Sequence, residues 1–484
     1  MIRTGKEYIE SLRDGRELYL GDEEVRDVTS HPRLKPTIES IARCYDLTYS
    51  RRGELTYVED GEEFSTLWMV PRSKGDFVRI RQHITAWHEE TAGCLGRLHD
   101  YLCVWVTALY ILRDVIAKGG ERFATNIVNY YNYCRRKDLA LTHAISTPQI
   151  DRSPGARRKD NEDIHVVDVN DKGVVVEGAK IVSTYVPYAN ELISLPQLPA
   201  NPDEDPNYII GFAIPLNAKN LKIVCRVSYV DPENPHDYPL TTLYDDMDAM
   251  VIFDRVLIPW ERVFVYGEKG PLINYEIFND VLGFALWEAA IKNVVKSKYL
   301  IGLAMMLTSM FGTDSYPNVQ EKIGWMMEYM SVLQAAIEGA EDTAKRHNDA
   351  LIPNIWVTWP LVQLFSNDFY PKMVETLRTL AGSGIVMHPP MRAFRNQKLR
   401  PYLERYFRAK GANAVDRLQI LKFIADYTVN SYGGRMLQYE KYYAADPFRV
   451  AIVHFRYFPE KEKFVELARS QIEKFRSIYG IFPT

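Results

Sequence analysis

The chain has 484 residues, 46% hydrophobic and 25% charged, a composition that excludes disordered, collagen-like and low-complexity classes. At ~150 residues per domain the length suggests about three domains. Lys and Arg total 59 against 63 Asp and Glu, for a net charge of -4 with both signs interspersed, so no electrostatic case exists for nucleic-acid binding.

Five scattered cysteines (Cys44, Cys94, Cys103, Cys134 and Cys225) form no CxxC pair, which fits a reducing compartment rather than a disulfide framework. The opening residues carry charges throughout and no apolar signal core. The longest uncharged stretch, 350–367, holds Pro353 and Pro360 and falls short of the ~20 apolar residues that a membrane span needs. A soluble, cytoplasmic protein with no membrane partner is expected.

From the start to about residue 141 the pattern is mostly helical. Thr4 with Glu7 three residues on is a capping box opening a helix to Leu12. His31-Pro32 interrupts the chain before an apolar-periodic run from Pro36 to Leu47. Asp100 precedes the apolar stretch YLCVWVTALYILRDVI, which reads as a buried helix capped by that aspartate. Over 142–267 the signal turns to strands, including two runs joined at Asp171-Lys172-Gly173, a hairpin signal. Strands without intervening helices predict a small antiparallel barrel or sandwich, and LPANPDEDPN at 198–207 predicts a surface loop. From 268 to 484 the helical period returns, with runs near 282–312, 316–347, 368–381, 400–408, 413–443 and 459–479, predicting a bundle. The order is α, β, α, a mostly helical α+β chain.

Nucleotide, zinc-protease and serine-hydrolase fingerprints are absent. Gly382-Ser383-Gly384 lacks a preceding strand, and His83 and His88 lie five apart on different helix faces, so no metal site is expected. The 12% aromatic content suits large helical cores, with a pocket for a flat ring as the alternative.

Several segments together carry a resemblance: the opening TGKEYIESLRDGRELYLGDEEVRDVTSHP, GRLHDY at 96–101, THAISTPQIDRS at 142–153, VEGAKIVSTYVPYANEL at 176–192, FDRVLIPWERVF at 253–264, LRPYLERYF at 399–407 and YEKYYAADP at 439–447. In this order they resemble the oxygenase component of two-component, reduced-flavin-dependent 4-hydroxyphenylacetate 3-monooxygenases. The resemblance implies an acyl-CoA dehydrogenase-like architecture, a homotetramer, and FADH2 supplied by a separate NAD(P)H-flavin reductase. It further implies ortho-hydroxylation of a phenol to a catechol through a C4a-hydroperoxyflavin. The superfamily also holds 4-hydroxybutyryl-CoA dehydratase, whose iron–sulfur cluster takes three cysteines and a histidine. Here Cys94 matches one ligand, while Leu98, Ala285 and Lys292 stand at the other positions, too few thiolates for a cluster.

The resemblance places Arg97, Tyr101 and His143 as catalytic and substrate-binding residues. An arginine beside a phenol suits an anionic or peroxidic oxygen, and an imidazole suits proton transfer from a phenol. The plain alternatives are an Arg97–Asp100 surface pair, a core Tyr101 and a structural His143. Leu98-His99 replaces a small residue and proline, a change expected in the pocket wall. Pro196 and Gln197 are further substrate contacts by resemblance, although small hydroxyl residues are missing there. Flavin contacts are implied at His143, Ala144, Ile145, Gln149, Ile150, Asp151, Arg152 and Thr184, with an Asp151–Arg152 ion pair as the alternative. Val429, Asn430, Ser431 and Tyr432 occupy a further flavin contact, where Val429 and Asn430 depart from the family's pattern. Competing functions are hydroxylation of another phenol such as a chlorophenol, acyl-CoA flavoprotein chemistry, or a non-catalytic relative.

Overall fold

A computed structural model describes residues 2–151, 153, 162–196, 206–267 and 275–481. The N-terminal part holds α1 (Gly5–Ser11), β1 (Glu17–Leu20), β2 (Glu23–Glu24), α2 (Lys35–Ser50), β3 (Thr56–Glu59), β4 (Glu62–Ser65), α3 (Lys74–Glu90), α4 (His99–Ile111), α5 (Arg113–Ile116) and α6 (Glu121–Lys137). The Thr4–Glu7 capping box forms as its spacing predicts, and Ser73 with Asp76 builds a second one on α3. Asp100 does not cap α4. The helix starts at His99 without a side-chain cap, and Asp100 lies buried inside its first turn. A tertiary partner, His88 on α3 at 3.1 Å, overrides the local capping preference.

The central strands are β5 (Leu141–Ala144), β6 (His165–Asn170), β7 (Gly173–Thr184), β8 (Glu191–Ser194), β9 (Ile210–Pro215), β10 (Leu221–Cys225), β11 (Asp248–Pro259) and β12 (Val263–Tyr266), with α7 (Pro239–Tyr244) before β11. The predicted hairpin forms between β6 and β7. The wholly antiparallel barrel does not. Strands lie in two sheets, ordered β2-β1-β10-β11-β7-β6 and β12-β9-β8-β5, and the pairs β1–β10 and β5–β8 are parallel. β1 enters from the N-terminal part and β5 lies well before β8 in the chain, so long crossovers free both pairs from hairpin geometry. Phe212 of β9 and Phe253 of β11 meet edge-on at 5.6 Å between the sheets. Most of the predicted loop at 198–207 lies outside the described residues.

The C-terminal part comprises α8 (Tyr275–Phe311), α9 (Pro317–Asp342), a ribbon of β13 (Lys345–His347) and β14 (Ala350–Ile352), then α10 (Ile355–Leu364), α11 (Tyr370–Ala381), α12 (Arg400–Tyr406), α13 (Ala414–Thr428), α14 (Ser431–Tyr442), α15 (Pro447–Tyr457) and α16 (Lys461–Tyr479). The run expected as helix to 347 ends at Asp342 because the chain doubles back in the ribbon, with Asn348 at φ 51° in its turn. The run expected over 413–443 breaks at Val429-Asn430. Gly433 permits this corner, since a Cβ there would lie 2.3 Å from Tyr427 O.

Helix α8 is long and apolar enough over Asn279–Phe311 to cross a membrane by length and composition. It nonetheless buries Glu288, Lys292, Asn293 and Lys296. Lys292 Nζ sits 3.1 Å from both carboxylate oxygens of Glu440 on α14, and Lys296 bonds the same carboxylate. Charges satisfied by neighbouring helices mark a bundle-core helix.

Two results follow. Gly433→Ala should destabilise the protein by more than about 2 kcal/mol in chemical denaturation, whereas Gly434→Ala, with open space around its Cβ, should be neutral or stabilising. Although burial opposes its charge, Lys292 and Lys296 hold Glu440 down to about 2, so the stability from this tie is full above the ordinary carboxylate range and is lost as pH falls towards that value. Glu440→Gln should cost at least about 3 kcal/mol at neutral pH and remove that acid limb from a stability-versus-pH curve.

Candidate active site

Tyr101 and Trp105 are four residues apart on α4, which stacks their rings on one helix face, with centroids 6.5 Å apart. His143, on β5, lies against both, 5.8 Å from Tyr101 and 6.0 Å from Trp105. Strand β5 is held in place by β8, with His143 opposite Ile193. Arg97, in the turn leading into α4, places its guanidinium 4.1 Å over Tyr101 and 3.8 Å over Tyr443, just past α14. The structure thus brings Arg97, Tyr101 and His143 together.

Arg97 makes no ion pair with Asp100. Its Nη2 donates to Tyr443 O at 3.1 Å, while Asp100 faces His88. Tyr443 also has Lys292 Nζ 3.7 Å from its ring centroid. Two cations thus lie against the same ring. Its hydroxyl donates to Gly96 O at 3.0 Å, with Glu288 Oε2 at 3.4 Å.

Three buried polar atoms in this cluster have no hydrogen-bond partner among the described residues: Arg97 Nη1, Trp105 Nε1 and His143 Nδ1. Unsatisfied buried polar groups cost about 1–3 kcal/mol each, and their concentration beside aromatic walls fits a ligand that presents an oxygen. Burial and the nearby Arg97 charge push His143 down to about 3, so its ring is neutral at neutral pH. Tyr101 is raised by burial, against the pull of Arg97.

The implied flavin contacts are distributed around this cluster. Thr142, next to His143, donates to Thr184 O at 2.6 Å, and Thr184 donates to Asp248 at 2.6 Å. Strand β7 is bulged here, with the exposed, β-branched Val182 at φ 55°, a strained conformation two residues before Thr184. Asp248 also receives both Arg435 (2.7 Å) and Arg226 (3.0 Å), which offset burial and hold it at about 2. Arg435 therefore ties α14 to β11.

Ala144 is buried and accepts from Ser194 Oγ, while Ile145 is half-buried. Gln149, Ile150 and Asp151 lie on an exposed segment where Asp151 accepts from Ser153 N. Arg152 and Gln197 lie outside the described residues, and Pro196 is buried just past β8. Val429 and Ser431 are exposed at the α13–α14 corner, and Asn430 contacts Asp426. Tyr432 is buried and spends its hydroxyl on Cys94 O at 3.1 Å, which secures the corner to the turn before Arg97. Leu98 and His99 are both fully buried, and His99 stacks on Tyr45 and meets Trp87 edge-on.

Sequence reasoning missed Trp105, Tyr443, His88, Glu288, Lys292 and Glu440. Two signals were available: the four-residue step from Tyr101 to Trp105, and Glu288, Lys292 and Lys296 recurring every fourth residue inside an apolar run. Nothing local marks Tyr443 or His88 as their partners.

Comparison with known proteins accords with this geometry. Residues 4–265 match the N-terminal region of the 4-hydroxyphenylacetate 3-hydroxylase family, and residues 281–473 match its C-terminal region. The 4-hydroxyphenylacetate 3-monooxygenase oxygenase component of Thermus thermophilus is 31% identical over 99% of this chain and 100% of its own length. The 4-nitrophenol 2-monooxygenase oxygenase component of a Rhodococcus species is 32% identical over 92% of this chain and 86% of its own. A crystal structure of the oxygenase component of 4-hydroxyphenylacetate 3-monooxygenase with FAD and 4-hydroxyphenylacetate superposes with a TM-score of 0.92 at 31% identity, covering 99% of this chain and 100% of that one. An archaeal 4-hydroxybutyryl-CoA dehydratase from N. maritimus shares the fold (TM-score 0.88, 21% identity, all of both chains). Sequence and fold together place the chain in the 4-hydroxyphenylacetate 3-hydroxylase family, as an FADH2-dependent monooxygenase oxygenase component.

Proposed function

We propose that this enzyme hydroxylates a para-substituted phenol at the ortho carbon, taking 4-hydroxyphenylacetate to 3,4-dihydroxyphenylacetate with FADH2 from a separate NAD(P)H-flavin reductase. The observation that carries the reading is Arg97: a buried guanidinium without a carboxylate partner, its free Nη1 in one aromatic-walled cluster with the free nitrogens of His143 and Trp105. Such a site favours a phenolate over a phenol, because the incoming negative charge supplies what the guanidinium lacks.

The residues fit a flavin. Thr184, Ala144 and Ile145 adjoin His143 through β5 and β7, and the first amides of α14 at Ser431 and Tyr432 suit an anionic group. Bound reduced flavin supplies the activation of O2. The chain's own residues do the rest. Arg97 stabilises the ionised oxygen, which directs electron density to the ortho carbon. Neutral His143 hydrogen-bonds the same oxygen, and its low proton affinity leaves Arg97 as the main driver of ionisation. Tyr101, Trp105 and Tyr443 exclude water from the reacting atoms.

A second phenol is supported by the departures at the substrate positions and by the nitrophenol-hydroxylating relative. Support for the homotetramer comes from α16, whose Phe464, Leu467, Phe475 and Ile478 are exposed, and from a groove of about 770 Å³ lined by Met305, Met306, Ile323 and Met327.

With chemically reduced FAD and O2, His143→Ala should lower catechol yield about 10²-fold while flavin binding persists; wild-type yield in the variant removes His143 from the reaction. Competition among 4-hydroxyphenylacetate, 4-nitrophenol and a chlorophenol, read as catechol formed against H2O2 released, should favour 4-hydroxyphenylacetate. Preference for another phenol reassigns the substrate, and H2O2 alone with every phenol overturns the oxygenase reading for this chain.

A further inference from the structure

Behind Arg97, three helices converge on a buried set that the proposed chemistry does not use. His88 Nε2, from α3, lies 3.1 Å from Asp100 Oδ2 on α4 and 3.1 Å from Glu288 Oε1 on α8, and all three side chains have no exposed surface. The one N–H at Nε2 cannot satisfy two carboxylates. On its other side, Glu288 Oε2 faces the Tyr443 hydroxyl at 3.4 Å, but that hydroxyl has the closer acceptor Gly96 O at 3.0 Å. With the Tyr443 proton on Gly96, the Glu288–Tyr443 contact is a hydrogen bond only when Glu288 carries a proton and donates it.

The surroundings make this proton count matter. Arg97 and Lys292 both lie against the ring of Tyr443. Glu288 is faced by His88 from α3, Asp100 and Tyr101 from α4, Arg97 from the turn before it, Lys292 on its own helix, and Tyr443 and the Lys-paired Glu440 from α14 and its end. With the site empty, ionised Glu288 is a counter-charge for Arg97, one tyrosine away. A phenolate on Arg97 brings a second negative charge into the same low-dielectric volume.

We propose that Glu288 is a positioning residue for hydroxylation that takes up a proton at Oε2 as a phenolate settles on Arg97 and gives it up when the site empties, so that the guanidinium always has one counter-charge. The inference rests on the phenol reading above. When a phenol enters, its O–H proton is the one accounted for at Oε2; when a phenolate enters, solvent supplies it. In both cases the protonated carboxyl donates to Tyr443 and holds the ring on which Arg97 rests. Burial and the neighbouring Asp100 carboxylate, which raise the Glu288 carboxyl, support the same direction. The three ligand atoms lie within 4.8 Å of one another, close enough for a cation, but a metal-bound imidazole hands its second nitrogen to an acceptor, and His88 Nδ1 has no partner among the described residues.

The test uses the full-length protein with oxidised FAD and 4-nitrophenol, whose ionisation is visible by absorbance. Calorimetry in buffers of different ionisation enthalpy should show wild type taking up about one more proton per bound phenolate than Glu288→Gln. The neutral variant should bind phenolate about tenfold more tightly at alkaline pH, with a bound-phenol pKa about one unit lower. Glu288→Ala should share the lost proton uptake but also lower catechol yield, because Tyr443 loses its support. Equal proton uptake and equal pH dependence in wild type and a folded Glu288→Gln overturn the proposal while leaving the phenol reading intact. Failure of wild type to bind any of the tested phenols overturns both, and stoichiometric metal in the purified protein overturns the proton assignment.

Discussion

A guanidinium buried without a carboxylate is the constraint on which the site depends. Arg97 is kept charged by two tyrosine faces and one main-chain carbonyl. These spread the charge without neutralising it, so attraction for an anion survives burial. A direct ion pair with Asp100, three residues further along the chain, would have quenched it. That pair is avoided because Asp100 is already engaged by His88. The architecture around α4 can be understood as the means of keeping that charge free of direct carboxylate contact.

The C-terminal bundle supplies the means. Tyr443 reaches Arg97 from the end of α14, and α14 is fixed at three points: Glu440 to the α8 lysines, Arg435 to Asp248 on β11, and Tyr432 to Cys94. Each anchor contacts a different part of the molecule, namely the bundle, the larger sheet and the turn before α4. A displacement of α14 would therefore shift Tyr443, and with it Arg97, relative to His143 on the smaller sheet. Buried charge pairs rarely add net stability; here their geometry sets where a ring stands.

What could be read in the sequence was whatever local chemistry decides. The Thr4–Glu7 box, the turn at Asp171-Lys172 and the α, β, α order all follow from patterns a few residues long, and all appear in the structure. Arg97, Tyr101 and His143 could be placed through a resemblance, and they converge as a cluster. Long-range pairing was not legible. The parallel partnership of β1 with β10 joins strands some two hundred residues apart, and the strand pattern of either one says nothing of its neighbour. The Asp100 cap failed for the same reason: a tertiary contact with His88 outweighed a local preference. The corner at Val429 was missed because its cause, the close approach of Gly433 to Tyr427 O, exists only once both helices are formed. The charges of α8 are the intermediate case, since their four-residue spacing was visible while their partners were not.

The neutrality of His143 changes how labour divides in the proposed reaction. A base held at about 3 by burial and by Arg97 cannot strip a phenol unaided, because the proton would move from a far weaker acid to a far weaker base. Arg97 does the larger share by stabilising the phenolate, and its own presence is a reason that the imidazole stays uncharged. Once an anion occupies the cluster, the phenolate offsets the Arg97 charge, and the ring's proton affinity rises by that part while burial still opposes its charged form. The imidazole is then best suited to the later part of the cycle, where a proton must be held near an oxygen that has just formed a bond. One cation thus sets the order of the proposed events, ionisation before proton transfer.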